Sequence, residues 1–240
     1  MTKYWIDGET SIEMNDAEDV DVVHFTVDDK NVMVSAGQTI YESLKRMPGI
    51  GEIPALCYNN VVQPYGACRL CTVEVSEDKG KSFKFVAACL YPAKEGQIVK
   101  TNTEKIRKLR KGIIELLLAR CPGTRVIQEL AKEYEVEKPR FSLGGHDCIL
   151  CGLCVRTCEE TIGKSAISLV NRGIYKEVAA PFYAYELEEG CIGCGDCSYV
   201  CPTGAISMGP NGKPVLPRVK IPYAEAEAMT SKEKKSAPAK

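Results

Sequence analysis

Four cysteines within eleven positions occur twice in this chain. Cys148-x2-Cys151-x2-Cys154-x3-Cys158 returns forty-three residues later as Cys191-x2-Cys194-x2-Cys197-x3-Cys201. The echo extends to Ala166-Ile167-Ser168 and Ala205-Ile206-Ser207, with four extra residues after Cys158. Two copies point to a pseudo-twofold module rather than a solenoid, which needs more repeats. A looser group reads Cys57-x10-Cys68-x2-Cys71-x17-Cys89. Twelve of the 13 cysteines therefore fall into fours, and Cys121 is left over.

Whether these are disulfides or metal ligands depends on compartment. The N-terminus, MTKYWIDGETSIEMND, has no basic n-region and no apolar h-region, so a cytoplasmic, reducing location is expected. The longest near-continuous apolar stretch, Ile113 to Ala119, is interrupted by Glu115 and is far too short to span a bilayer. A formal net charge of −1 implies no bulk attraction to nucleic acid or to a membrane surface. Grouped cysteines in such a chain read as metal ligands.

In the repeat, three cysteines at x2 spacing wrap one compact loop around one object, and the fourth starts a helix that points away. In two-cluster ferredoxins that fourth cysteine ligates the other cluster. The expected sets are Cys148, Cys151, Cys154 with Cys201, and Cys191, Cys194, Cys197 with Cys158. Gly152, Gly193 and Gly195 suit a backbone that must approach cluster sulfides closely. Pro202 follows Cys201 as in the bacterial motif, whereas Glu159 follows Cys158. Zinc also takes four thiolates, but its sites usually separate two pairs by a dozen or more residues. The first group, Cys57, Cys68, Cys71 and Cys89, resembles plant-type [2Fe–2S] binding except that x10 replaces the common x4. Spacing alone excludes zinc less readily there. Arg69, inside the Cys68–Cys71 turn, reads equally well as a charge offsetting the thiolates and as a solvent-facing turn residue.

The surrounding pattern is α+β. VVHFTVDDKNVMV reads as two strands around a turn at Asp28-Asp29-Lys30-Asn31. QTIYESLKRM places Ile40, Tyr41 and Leu44 at helical spacing. Cys71–Ser76 and Phe83–Ala88 read as a further strand pair. Thr101–Glu104 fits a capping box. Behind it a helix puts Ile106, Leu109, Ile113 and Leu117 on one face, with Lys105, Arg107, Lys108, Arg110 and Lys111 as a basic face. A second helix covers roughly Thr124 to Tyr134.

GQTIYESLKR, IPALCYNN, YGACRLCTVEV and AACLYPAKEG together resemble the N-terminal [2Fe–2S] domain of the large iron–sulfur subunit of complex I. The same domain recurs in the diaphorase subunits of NAD-linked [NiFe]-hydrogenases, in [FeFe]-hydrogenases and in NAD-linked formate dehydrogenases. The resemblance runs from about Val22 to Pro217 and implies a β-grasp [2Fe–2S] ferredoxin-like domain, a short helical spacer and a bacterial-type two-[4Fe–4S] ferredoxin domain. The expected layout is an acidic arm (1–21), the [2Fe–2S] domain (22–100), the spacer (101–140), the dicluster domain (141–218) and a disordered tail (219–240). Relatives often carry a His-x3-Cys-x2-Cys-x5-Cys site in the spacer. Here LLLARCPGTRVIQELAKEYEV offers only Cys121, which reads as a small apolar residue at a helix end. His146 reads as a loop histidine; its alternative role is a hydrogen bond to a neighbouring cluster.

No Gly-x-Gly-x-x-Gly follows a strand, and two histidines leave little for acid–base work. The chain is expected to have no active site of its own. The resemblance implies an electron-transfer subunit with one [2Fe–2S] and two [4Fe–4S] clusters. It would relay electrons between a flavin-containing NAD(P)(H) subunit and a hydrogenase, formate dehydrogenase or ferredoxin partner, electron-bifurcating complexes included. Two alternatives stand beside it: the iron–sulfur subunit of a succinate dehydrogenase or fumarate reductase, against which the x10 spacing argues, and a zinc-stapled interaction protein.

Overall fold

The structure is a computed structural model that describes residues 2–6, 10–14, 21–47, 49–180 and 190–217. The expected tail, 219–240, lies outside the described residues. The chain divides into two compact units, Met1–Ile114 and Glu115–Lys240, and the division falls within the 101–140 segment read above as a spacer.

The acidic arm forms a backbone hairpin. Strands β1 (Thr2–Ile6) and β2 (Thr10–Met14) pair antiparallel, with Thr2 opposite Met14. The strand formers Tyr4, Trp5, Ile6 and Ile12 favour this pairing despite the arm's acidic composition.

The first unit is built on a five-stranded sheet. Strands β3 (Val22–Val27) and β4 (Lys30–Ser35) form the expected hairpin. Its two-residue turn, Asp28-Asp29, takes positive φ at both positions, 46° and 68°, matching the twist of the flanking strands. Helix α1 (Ile40–Lys45) follows. Its N-cap is a reciprocal box: the Glu42 N–H donates to Thr39 Oγ1 at 3.2 Å and the Thr39 N–H to the Glu42 carboxylate at 2.9 Å. Strands β5 (Thr72–Ser76) and β6 (Lys84–Ala87) make the second hairpin. Strand β7 (Ile98–Lys100), which the sequence reading did not identify, joins the two: it pairs parallel with β3 and antiparallel with β5, giving the order β4-β3-β7-β5-β6. Alternation buries Phe25 and Val27 on β3 and Val32 and Val34 on β4, while Val73, Val75 and Val99 close the core across the sheet.

Helix α2 (Glu104–Arg120) departs from expectation at its cap and on its buried face. Thr103, not Thr101, caps it: Thr103 Oγ1 accepts from the Ile106 N–H at 3.2 Å and donates to the Glu74 carboxylate at 2.6 Å. Thr101 instead bonds Asp28 through both its backbone N–H and its hydroxyl. The fully buried rail is Ile106, Arg110, Ile114 and Leu118, with Leu109, Ile113 and Leu117 half-buried beside it. Arg110 therefore leaves the expected basic face, of which Lys105, Arg107, Lys108 and Lys111 remain exposed.

In the second unit, helix α3 (Arg125–Glu133) buries Ile127 and Ala131. Cys121, at the end of α2, is fully buried, and its N–H donates to Leu117 O at 2.8 Å. Two four-residue helices, α4 (Leu153–Arg156) and α5 (Asp196–Tyr199), occupy equivalent places in the repeat. Two small hairpins accompany them: β8 (Ser168–Val170) with β9 (Glu177–Ala179), and β10 (Ser207–Met208) with β11 (Pro214–Val215). The repeat-related Ile167 and Ile206 are both buried in one cluster with Val178, Ala180 and Leu216. The four extra residues after Cys158 are taken up by a wide turn over Thr157–Thr161, in which the Ile162 N–H reaches back five residues to Thr157 O.

Candidate metal centres

The first cysteine group converges in the Met1–Ile114 unit. Cys57 arrives on the long loop after α1, Cys68 and Cys71 bracket a tight turn, and Cys89 follows β6. All four are buried. The turn exists because Arg69 adopts a left-handed conformation (φ 58°) and the Thr72 N–H and hydroxyl close back on Arg69 O at 3.2 and 2.7 Å. Arg69 itself faces solvent. The Ala88 N–H donates to Cys71 O at 3.1 Å and the Tyr41 N–H to Ala88 O at 3.0 Å, which ties the Cys89 segment to the turn and to α1.

The sulfurs fall into two pairs. Cys71 Sγ and Cys89 Sγ stand 3.4 Å apart. Cys57 and Cys68 are interlocked: the Cys68 N–H donates to Cys57 Sγ at 3.3 Å and the Leu56 N–H to Cys68 Sγ at 3.5 Å. The side-chain hydrogen bond with Cys57 holds the Cys68 thiol down to about 6 against burial, with backbone N–H groups of Leu56 and Leu70 assisting. The bond with Cys89 likewise lowers Cys71. Cys57 and Cys89, the partners, are pushed up by those same bonds and by burial. Two pairs of buried sulfurs suit a binuclear centre in which each metal takes two sulfurs. Tyr41 forms an unanticipated wall: burial, then the charge on Cys71, Cys68, Cys89 and Cys57, pushes its hydroxyl up to about 12. Its ring meets Tyr58 at 4.7 Å between centroids.

In the repeat, the fourth cysteine of each copy lies near the first three of the other. Burial raises Cys154, and the charges that add to this come from Cys151, Cys148 and Cys201. Burial raises Cys197 to about 11, and the added charges come from Cys194, Cys191 and Cys158. Cys158 also lines one cavity with Cys191, Cys194 and Cys197, walled by Ile162, Ile167 and Pro214. Backbone donors point at the sulfurs here too: Leu150 N–H at Cys148 Sγ (3.4 Å) and Ala166 N–H at Cys158 Sγ (3.3 Å). At Gly193 (φ +72°) a Cβ would meet Gly212 O at 2.6 Å, so the loop's close approach to the backbone opposite demands glycine. Arg120 Nε donates to Cys148 O at 2.8 Å. His146 is buried, and its N–H donates to Arg120 O at 2.7 Å. Among the described residues no three Cys, His, Asp or Glu side chains are placed to hold a single metal ion. Converging thiols, backbone N–H groups aimed at sulfur and a loop with no room for a Cβ together fit iron–sulfur clusters.

Comparison with known proteins agrees with this chemistry. Residues 20–104 match the 2Fe-2S iron-sulfur cluster binding domain and residues 147–205 the 4Fe-4S dicluster domain. One [2Fe–2S] and two [4Fe–4S] clusters follow, and the zinc reading falls away. The chain is 30% identical over 216 residues to an NADH-quinone oxidoreductase subunit of Rhizobium meliloti, covering 79% of this chain and 24% of that protein. It is 28% identical over 211 residues to the HndD subunit of the NADP-reducing hydrogenase of Solidesulfovibrio fructosivorans, covering 75% and 35%. It thus spans about a quarter to a third of the curated relatives it matches. A chain in the crystal structure of an NAD+-reducing [NiFe]-hydrogenase in the H2-reduced state superposes with TM-score 0.63 at 27% identity, covering 76% of this chain and 85% of that one. No helix among the described residues is long and apolar enough to cross a membrane.

Proposed function

This chain belongs to the iron–sulfur proteins that join a 2Fe-2S domain to a 4Fe-4S dicluster domain, and we propose that it is the electron-relay subunit of a larger oxidoreductase. It carries electrons between a flavin-containing NAD(P)(H) subunit and a hydrogenase, formate dehydrogenase or ferredoxin partner. The observation that carries this reading is the gathering of twelve cysteines into three sets of four. Cys57, Cys68, Cys71 and Cys89 hold the [2Fe–2S] cluster. Cys148, Cys151, Cys154 and Cys201 hold one [4Fe–4S] cluster, and Cys191, Cys194, Cys197 and Cys158 the other.

When bound, such clusters supply one-electron carriers, near about −400 mV for plant-type [2Fe–2S] centres and over a wide range for [4Fe–4S] centres. The chain's own residues hold the thiolates, aim backbone N–H groups at sulfur and exclude water from the first site. Similarity to subunits of an NADH-quinone oxidoreductase and an NADP-reducing hydrogenase supports partner subunits in an NAD(P)-linked complex. The exposed cations Lys105, Arg107, Lys108 and Lys111 supply a surface for contact with a partner subunit.

Anaerobic purification of the native complex tests this reading. A flavoprotein should co-purify, and NADH or NADPH should reduce the clusters in the complex but not in the isolated chain. Iron analysis of that chain should give ten atoms. Reduction of the isolated chain by NADH, or recovery without any flavoprotein, would sink the relay.

A further inference from the structure

Arg110 occupies a position where the α2 rail calls for an aliphatic side chain. It lies one turn from Ile106 and one turn from Ile114, and only 1% of it is exposed. Burying a guanidinium is costly unless its donors are satisfied. Nε donates to Leu70 O at 2.9 Å and Nη2 to Thr72 O at 3.0 Å. Those two carbonyls flank Cys71.

The consequence reaches the sulfurs through the backbone. Leu70 C=O and Cys71 N–H are the two ends of one trans peptide and point in opposite directions. An arginine that takes the Leu70 carbonyl therefore also fixes the direction of the Cys71 N–H, at the sulfur-bearing residue. The neighbouring Leu70 N–H lies against the Cys68 sulfur. Hydrophobic packing alone asks for none of this, since methionine or leucine would fill the rail without desolvating a charge.

We propose that Arg110 is a positioning residue of the [2Fe–2S] site, which fixes the Cys68–Cys71 loop by its two carbonyls and raises the reduction potential there through its buried positive charge. The proposal rests on the reading of Cys57, Cys68, Cys71 and Cys89 as the ligands. An electron arriving at the site adds negative charge. A cation held in the interior favours that state, because screening there is far weaker than in water. Hydrogen bonds aimed at cluster sulfurs tune the potential as well. Arg69, the cation nearest in sequence, faces solvent and is well screened.

The test is an EPR-monitored potentiometric titration of the full, cluster-loaded chain under anaerobic conditions. Arg110→Gln removes the charge and keeps a donor; Arg110→Lys keeps the charge and loses the fork. At the potential that half-reduces the wild-type [2Fe–2S] cluster, Arg110→Gln should lower the ratio of reduced to oxidised cluster at least tenfold, equivalent to about 59 mV for a one-electron couple. Arg110→Lys should stay within about threefold of wild type, and the [4Fe–4S] signals should not move in either variant. An unchanged ratio in Arg110→Gln, or an equal shift in both variants, would overturn the proposal. So would loss of the [2Fe–2S] signal from Arg110→Gln, which would make the residue purely structural. A Cys71→Ala variant with an unaltered [2Fe–2S] spectrum would instead sink the ligand reading.

Discussion

The four cysteines of the Met1–Ile114 unit hang from a sheet with an apolar core of its own, whereas six of the repeat's eight are themselves part of the packing of the dicluster region. In the first, Phe25, Val27, Val32, Val34, Val73 and Val99 close around β3, β4, β5 and β7, and Cys71 and Cys89 join that core at its edge. In the second, a small cluster of the dicluster region gathers Cys154, Ile167, Val178, Ala180, Ile206 and Leu216, with Cys148, Cys158, Cys191, Cys197 and Cys201 packed against them. Its helices α4 and α5 are four residues each, far below the length at which a helix holds alone. One unit thus presents cysteines from a finished scaffold. The dicluster region of the other is expected to depend on what its cysteines bind, as small metal-bound domains do.

The largest effect that could break this contrast is iron removal. Anaerobic chelation should leave the amides of β3, β5 and β7 protected in hydrogen exchange while those of 148–215 exchange as in an unfolded chain. Protection that survives in 148–215 would show the dicluster region to be self-supporting. Single ligand losses come next and test the crossing of the sets. Cys158→Ala should damage the cluster held by Cys191, Cys194 and Cys197, and Cys201→Ala the one held by Cys148, Cys151 and Cys154, each read by EPR and iron content. Damage confined to the mutated motif's own three cysteines would refute the crossing.

Glycine substitutions sharpen the contrast at smaller scale. Gly193→Ala drives a Cβ to 2.6 Å from a backbone oxygen, so the second [4Fe–4S] cluster should be lost. Gly66→Ala (φ +69°) meets only the end of the Leu90 side chain, at 2.5 Å, which can swing away. It should keep its [2Fe–2S] cluster at a cost of about 1–3 kcal/mol for a left-handed non-glycine residue, measured by denaturant unfolding. Equal iron loss in both variants would erase the distinction. Smallest of all, Cys121→Ala should leave every cluster signal intact and cost about 1 kcal/mol for the lost buried atom. Loss of iron in that variant would make Cys121 a ligand.

Much of this was readable in one dimension because ligand spacing is local. The repeat, the β3–β4 hairpin, the extent of α2 and the α+β class all follow from patterns within a few residues. What escaped depends on partners far along the chain. Strand β7 is three residues long and is defined by pairing with β3 and β5, so no window around Ile98 identifies it. Arg110 reads as surface because arginine usually is; only the arrival of Leu70 O and Thr72 O, from a distant part of the chain, makes its burial tenable. Thr101 fits the capping pattern in sequence, but Asp28, from a distant turn, holds it elsewhere.

The late position of β7 also sets a schedule. During synthesis β3–β4 and β5–β6 can form as two separate hairpins, but no strand pairs with both until Ile98–Lys100 leaves the ribosome. By then Cys57, Cys68, Cys71 and Cys89 have all emerged. Because β3 and β7 pair in parallel across a long stretch of intervening chain, their joining carries a large loop-closure cost and belongs among the slower steps of folding. The sheet beside the site therefore closes after its last thiol has been made, and all four thiols are present before that last pairing forms.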